Sequence, residues 1–232
     1  MRAHEMANRN KFLFIDIKDE QINRLLSSLR AIFCGHDSST TNIHITVRGP
    51  QHYFNFAALE ENIKKYEAEN RCLKIGGVGR FNNPDSHIIY IKVDCGDLKK
   101  YGLWEKIDYK GNYNPHITLY NGSDEDRANV IYDFLKSIDF HRECSDYEFR
   151  VHTRDQRSFT LGRKAQITVL TKADLVILDM AKDMIGRECR AFNSRSGATE
   201  GRPPRYTNSE FSAPNGPNET KRPRLTSVRS IG

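Results

Sequence analysis

The pattern His-Ile-Thr followed by an apolar residue occurs twice in this chain, as His44-Ile45-Thr46-Val47 and His116-Ile117-Thr118-Leu119, with the two histidines 72 residues apart. Each copy sits in the same order of elements: a strand bearing the motif, a turn, an amphipathic helix, then further strands, over residues 43–81 and again over 115–152. A chain patterned this way reads as two similar halves of mixed α and β structure, because segments of period 2 and period 3.6 alternate along it.

The remaining periodicity fills in those halves. Residues 12–17 read as a strand from their apolar and aromatic content. Ile22, Leu25, Leu26, Leu29 and Phe33 recur at helical spacing, with Asp19 placed to cap the first turn and Gly35 to end the helix. Residues 43–47 form a short strand closed by Gly49-Pro50, and Phe56, Leu59, Ile63 and Tyr66 mark a second helix. Strands at 73–81 and 87–93 follow with no helix between them. The joining residues Asn82-Asn83-Pro84-Asp85-Ser86 predict a hairpin, so part of the sheet structure is antiparallel.

After a strand at 116–120, Ser123-Asp124-Glu125-Asp126 resembles a capping box that opens a helix through Val130, Ile131, Phe134, Leu135 and Ile138. Residues 147–152 and 166–170 read as strands. A last helix starts near Ala173, capped by Thr171, with Leu175, Leu178 and Met184 on its apolar side. The whole predicts an α+β fold of about four helices and seven strands.

At 232 residues the chain is long enough for one ordinary domain or two small lobes sharing a core. Its 15 glycines and five cysteines exclude collagen-like and disulfide-scaffold classes, and no apolar run is long enough to span a bilayer. MRAHEMANRNK lacks the apolar core of a secretory signal, and the odd cysteine count without paired spacing fits a reducing compartment, so the expected location is cytoplasmic. Charge is uneven: residues 190–232 carry eight Lys/Arg against three Asp/Glu, while residues 1–189 carry 28 against 27. The last 43 residues also hold five of the eight prolines and no periodic apolar run. Such a segment buries too little apolar surface to offset chain ordering. The domain organisation is therefore read as a two-lobed domain over 1–189 and a disordered basic tail over 190–232, the tail offering a solvated extension or a nucleic-acid contact.

Strand alternation puts His44, Thr46 and Arg48 on one face and Ile45 and Val47 on the other, and the same parity groups His116, Thr118 and Tyr120. In-line cleavage of a phosphodiester or cyclic phosphate needs one group to take a proton from the attacking oxygen and another to protonate the leaving oxygen. Imidazole suits both roles near neutrality. A threonine hydroxyl two residues along each strand sits about 7 Å further on, where it can hold a non-bridging phosphate oxygen. Arg48 would pair with phosphate and Tyr120 would stack on a base or sugar. For one such motif alone a satisfied half-buried strand histidine is a competing reading; that reading explains neither the repetition nor its setting in two similar halves.

The two H-x-T-φ strands, Pro115 before the second, and the strand Leu73-Lys-Ile-Gly-Gly-Val-Gly-Arg-Phe81 leading into the hairpin resemble the two-histidine phosphoesterase superfamily, which includes RNA 2′,5′-ligase-like proteins and cyclic phosphodiesterases. The resemblance covers residues 11–170. It implies a bilobal fold of pseudo-twofold symmetry, with antiparallel sheets and flanking helices around a central cleft, and metal-independent catalysis. His44 and His116 would be acid and base, and Thr46 and Thr118 would bind phosphate. The substrate would be RNA, an oligonucleotide or a cyclic nucleotide. The first motif departs from the pattern in lacking a preceding proline, and the last helix and tail are not required by the family.

Other features carry less chemistry. Gly76-Gly77-Val78-Gly79 is followed by no Lys-Ser/Thr and leads into a strand, so the glycines read as a bulge or a close backbone approach rather than a phosphate loop. Cys34, Cys72, Cys95, Cys144 and Cys189 show no zinc spacing, and no metal or cofactor is expected. Phe81, Tyr109 and Tyr113 are further candidate base platforms. Two other function classes fit the same residues: a catalytically silent RNA-binding module whose basic tail adds affinity, and a scaffold acting through its tail.

Overall fold

The computed structural model describes residues 10–35, 42–105, 113–153 and 170–196. Among them the chain forms strands β1 (Lys11–Ile17), β2 (His44–Gln51), β3 (Leu73–Asn83), β4 (Ser86–Asp94), β5 (His116–Gly122), β6 (His141–Cys144) and β7 (Tyr147–Thr153). The helices are α1 (Glu20–Cys34), α2 (Phe56–Glu69), α3 (Glu125–Ser137) and α4 (Lys172–Ser196). Two antiparallel sheets result, of order β2-β1-β7 and β5-β4-β3-β6. No helix among the described residues is long and apolar enough to cross a membrane.

Local chemistry sets the element ends. The Asp19 carboxylate accepts the Ile22 amide at 2.9 Å, and α1 stops at Gly35. The α3 cap is Asp124 rather than Ser123, one residue later than the capping-box reading, with its carboxylate accepting the Arg127 amide. Strands β3 and β4 run further into the hairpin than expected, pairing Asn83 with Ser86 and leaving Pro84-Asp85 as a two-residue turn. Strand β2 also continues past Gly49-Pro50 to Gln51. The short strand β6 carries no sequence signal, because His-Arg-Glu-Cys has no apolar alternation; it is held by backbone pairing with the β3 edge. Of the expected strand at 166–170, all but Leu170 lies outside the described residues.

The core joins one side of each sheet to the apolar stripes of the helices, with Leu13, Ile15, Leu26, Leu29, Ile45, Ile89, Ile117 and Leu119 fully buried. Helix α4 runs through residue 190 to Ser196, so the boundary expected at 189/190 falls inside a helix; the expected disordered tail beyond 196 lies outside the described residues. Its buried face is also rotated from the expected one: Leu178 and Ala181 are buried while Leu175 is exposed. The reason is Asp174, which sits one turn before Leu178 and is fully buried. Its carboxylate accepts from Arg142 and from Gln21 at 2.8 Å and from the Thr171 hydroxyl at 2.7 Å, tying α4 to α1 and β6.

Burial pushes the Asp174 carboxyl up, but those donors outweigh it and hold it below the ordinary carboxylate range. A depressed carboxyl contributes stability that is present above its unfolded value of 3.8 and lost as pH falls below it. Asp174→Ala is expected to cost about 2 kcal/mol at pH 7, discounted because Arg142 is partly exposed. The same variant should lose less stability than the parent on acidification below pH 4; urea melts at pH 7 and pH 3.5 measure both effects.

Candidate active site

The two motif strands are sheet edges: β2 borders one sheet and β5 the other, and the two strands lie against each other. Alternation within each motif is as expected. Ile45, Val47, Ile117 and Leu119 are buried, while His44, Thr46, His116 and Thr118 are half-buried, so neither imidazole is sealed in the core.

The two imidazoles are held alike. His44 Nδ1 lies 2.8 Å from the carbonyl of Asn42, and His116 Nδ1 lies 2.7 Å from the carbonyl of Asn114, in each case the residue two places before. A carbonyl only accepts, so Nδ1 carries the proton in both rings and Nε2 is the atom left for chemistry. Behind each ring stands an aromatic from the adjacent strand. Phe14 stacks on His44 with centroids 4.2 Å apart, and Tyr90 lies 4.6 Å from His116, with Phe81 edge-on at 5.4 Å. Asn114 donates to the Tyr90 hydroxyl at 3.0 Å. Gly79 lets the Tyr90 ring lie across β3, since a methyl group there would overlap the ring.

A second likeness follows the motifs and sets where Arg48 and Tyr120 fall in the register. Phe14 pairs with Thr46 but Leu13 with Arg48, so Val47 is an extra residue in β2. Tyr90 pairs with Thr118 but Ile89 with Tyr120, so Leu119 is the extra residue in β5. Both bulges fall at the fourth motif position, and both reset the alternation of faces. Tyr120 therefore joins the core face, opposite Ile89, at 4% exposure rather than facing out with His116. Arg48 falls opposite fully buried Leu13, where it ion-pairs with Glu105 at 3.2 Å and lies over the Phe54 ring. Neither shares the histidine face, and parity counted along the sequence could not reveal a one-residue bulge.

Groups that sequence reasoning left unassigned occupy that face instead. Asp16 pairs with His44, Arg150 with Phe14, and His152 with Phe12. Asp16 is fully buried, with Arg150 Nε 2.9 Å from Oδ2 in a close ion pair; burial still raises its carboxyl above the ordinary range. His152 stacks on Phe14 at 5.4 Å. The alternation Glu148, Arg150, His152 in β7 was the readable signal. In the other sheet, Lys92 stands opposite His116 where Asp16 stands opposite His44.

Arg30 of α1 ties the two motifs together. Its Nε and Nη2 donate to the Thr118 carbonyl at 3.1 and 2.9 Å, beside the β5 bulge, and its charge is felt at His44. Burial lowers the His44 imidazole to about 4; the Asn42 carbonyl opposes this, while Arg30, His152 and Arg150 add to it. Burial lowers His116 as well, opposed by the Asn114 carbonyl. Among the described residues the hydroxyls of Thr46 and Thr118 and the Nε2 atoms of both histidines have no hydrogen-bond partner in the chain. Of the other base platforms, Phe81 packs beside His116 and Tyr113 donates to the Gly96 carbonyl. Tyr109 lies outside the described residues.

Compared with known proteins, the chain matches no family model, no curated protein and no solved structure.

Proposed function

We propose that this protein is a metal-independent phosphodiesterase of the two-histidine kind. It would act on RNA ends, 2′,5′-linked oligonucleotides or cyclic nucleotides at a cleft between two pseudo-twofold lobes. The observation that carries this reading is the shared mounting of His44 and His116: Nδ1 on the carbonyl two residues back, an aromatic ring behind, and a bulge at the fourth motif position. A histidine kept for packing alone has no reason to share the same carbonyl partner and bulge position in two separate sheets.

In the proposed reaction His44, the more strongly depressed imidazole, is neutral and its Nε2 takes the proton from the attacking hydroxyl or water. The new oxygen–phosphorus bond forms as the opposite one breaks, and protonated His116 Nε2 gives its proton to the leaving oxygen. The Thr46 and Thr118 hydroxyls donate to the non-bridging oxygens. Thr46→Ala or Thr118→Ala should each lower kcat/KM by about 10- to 100-fold, equivalent to about 1–3 kcal/mol for one hydrogen bond to a charged group. Serine at either position should recover most of the loss, whereas Val should not.

The test of the function is incubation of the purified chain, in chelator, with 2′,3′-cyclic phosphates and 2′,5′- and 3′,5′-linked oligonucleotides, followed by identification of the product termini. Turnover that His44→Ala abolishes supports the reading. Tight RNA association with no turnover of any member of the panel would instead mark a silent binding module.

A further inference from the structure

At the β4–β3–β6 end of the second sheet lies a groove of about 520 Å³ that reaches the two residues before His116. That volume lies within the range of small-ligand sites. Asn114 and Pro115, the two residues before His116, form one wall, and Lys92, the cross-strand partner of His116, forms part of the floor. The floor is open because β3 bulges at Gly76-Gly77: a side chain on Gly76 would overlap the His141 ring, and Gly77 has φ +74°.

The charges in the groove alternate. Lys74 pairs across β3 and β4 with Asp94 and across β3 and β6 with Glu143, and Lys92 lies two residues before Asp94 on the same face. Yet among the described residues neither lysine approaches a carboxylate within ion-pair distance, and neither Asp94 nor Glu143 has a cationic partner. Free ammonium groups suit phosphate oxygens. Carboxylates repel phosphate but accept hydrogen bonds from ribose hydroxyls, as in nucleotide sites that bind the 2′-hydroxyl through an acidic side chain. Arg142 also lines the groove but is taken up by Asp174; the two remaining cations and two carboxylates match a sugar-phosphate unit better than a bare anion.

Resting on the phosphodiesterase reading, we propose that this groove is the subsite for a ribonucleotide next to the scissile phosphate on the His116 side. Lys74 and Lys92 take its phosphate, and Asp94 and Glu143 accept its ribose hydroxyl. The preferred substrate is then an oligoribonucleotide rather than an isolated cyclic nucleotide.

The test is fluorescence anisotropy of labelled ribo- and deoxyribotetranucleotides of one sequence on the full chain carrying His44→Ala, which needs no turnover. Lys74 and Glu143 are exposed, so their replacement leaves the core intact. Adding Lys74→Ala should weaken ribotetranucleotide binding roughly tenfold and reduce the slope of log K against log salt by about 0.7, one phosphate contact on a single strand. Adding Glu143→Gln should narrow the preference for ribose over deoxyribose. Unchanged affinity and slope with Lys74→Ala, an unchanged ribose preference with Glu143→Gln, or no binding of either oligonucleotide would each overturn the proposal. If these shifts appear while the parent protein turns over no phosphodiester, the subsite stands as a ribonucleotide-binding groove and the phosphodiesterase reading falls.

Discussion

His44→Ala and His116→Ala are each expected to lower kcat by about 10³-fold, within the range that positioned proton transfer supplies, while the protein stays folded. Each ring is half-buried and makes one hydrogen bond to a backbone carbonyl, so its removal costs about 1 kcal/mol of stability. The double variant should be little slower than the worse single one, because two groups that serve one proton transfer act as a unit. Losses that multiply in the double variant would mean the rings act in separate steps, and the shared-phosphorus mechanism would be wrong.

The pH dependence follows from the same two rings. A base must be deprotonated and an acid protonated. With His44 at about 4 and His116 lowered from 6.5, kcat/KM in the free protein should rise on a limb near pH 4 and fall on one below 6.5. The optimum is thus more acidic than two ordinary imidazoles would give. Stability moves in step: imidazoles depressed on folding contribute stability above pH 6.5 that is lost as pH falls toward 4. A rate profile flat from pH 4 to 8 would remove both histidines from proton transfer.

The pieces legible in the sequence were those set by local rules. Asp19 and Thr171 cap the helices expected of them because a side-chain oxygen and a helix start need only three residues to recognise each other. The four motif residues face as alternation requires. What escaped was whatever depended on a partner strand. The bulges at Val47 and Leu119 exist only relative to β1 and β4; they carry Tyr120 into the core and set half-buried Arg48 opposite Leu13. Asp16, Arg150 and Lys92 entered the site through cross-strand register over separations that no window along the chain can span. The bulges themselves make sense at this place. They end the outward-facing alternation straight after the threonine, so that β2 and β5 present one histidine and one threonine each and then turn back to the core.

Arg30 was equally hidden, a cation beside the apolar stripe of α1 with nothing in its neighbours to name its partner. It is 9% exposed, yet it spends two donors on a single backbone carbonyl, that of Thr118. The strand is a sheet edge, bulged beside that carbonyl, and the Cys34 thiol lies 3.5 Å from the next carbonyl, Leu119. Arg30→Met keeps most of the stem but removes both charged hydrogen bonds to that carbonyl, which is expected to cost about 2–3 kcal/mol of stability. Loss of the charge acts on the other motif as well. With one of the two nearby guanidinium charges gone, the His44 imidazole should titrate above about 4, seen directly in its NMR ring signals, and the acid limb of kcat/KM should move up with it. Arg30→Lys retains a charge but not the two-pronged geometry, so it should restore His44 titration more fully than stability. A purely structural arginine would move the melting curve and leave the His44 titration where it was. Coupled movement of both would show one guanidinium setting the backbone of one motif and the basicity of the other.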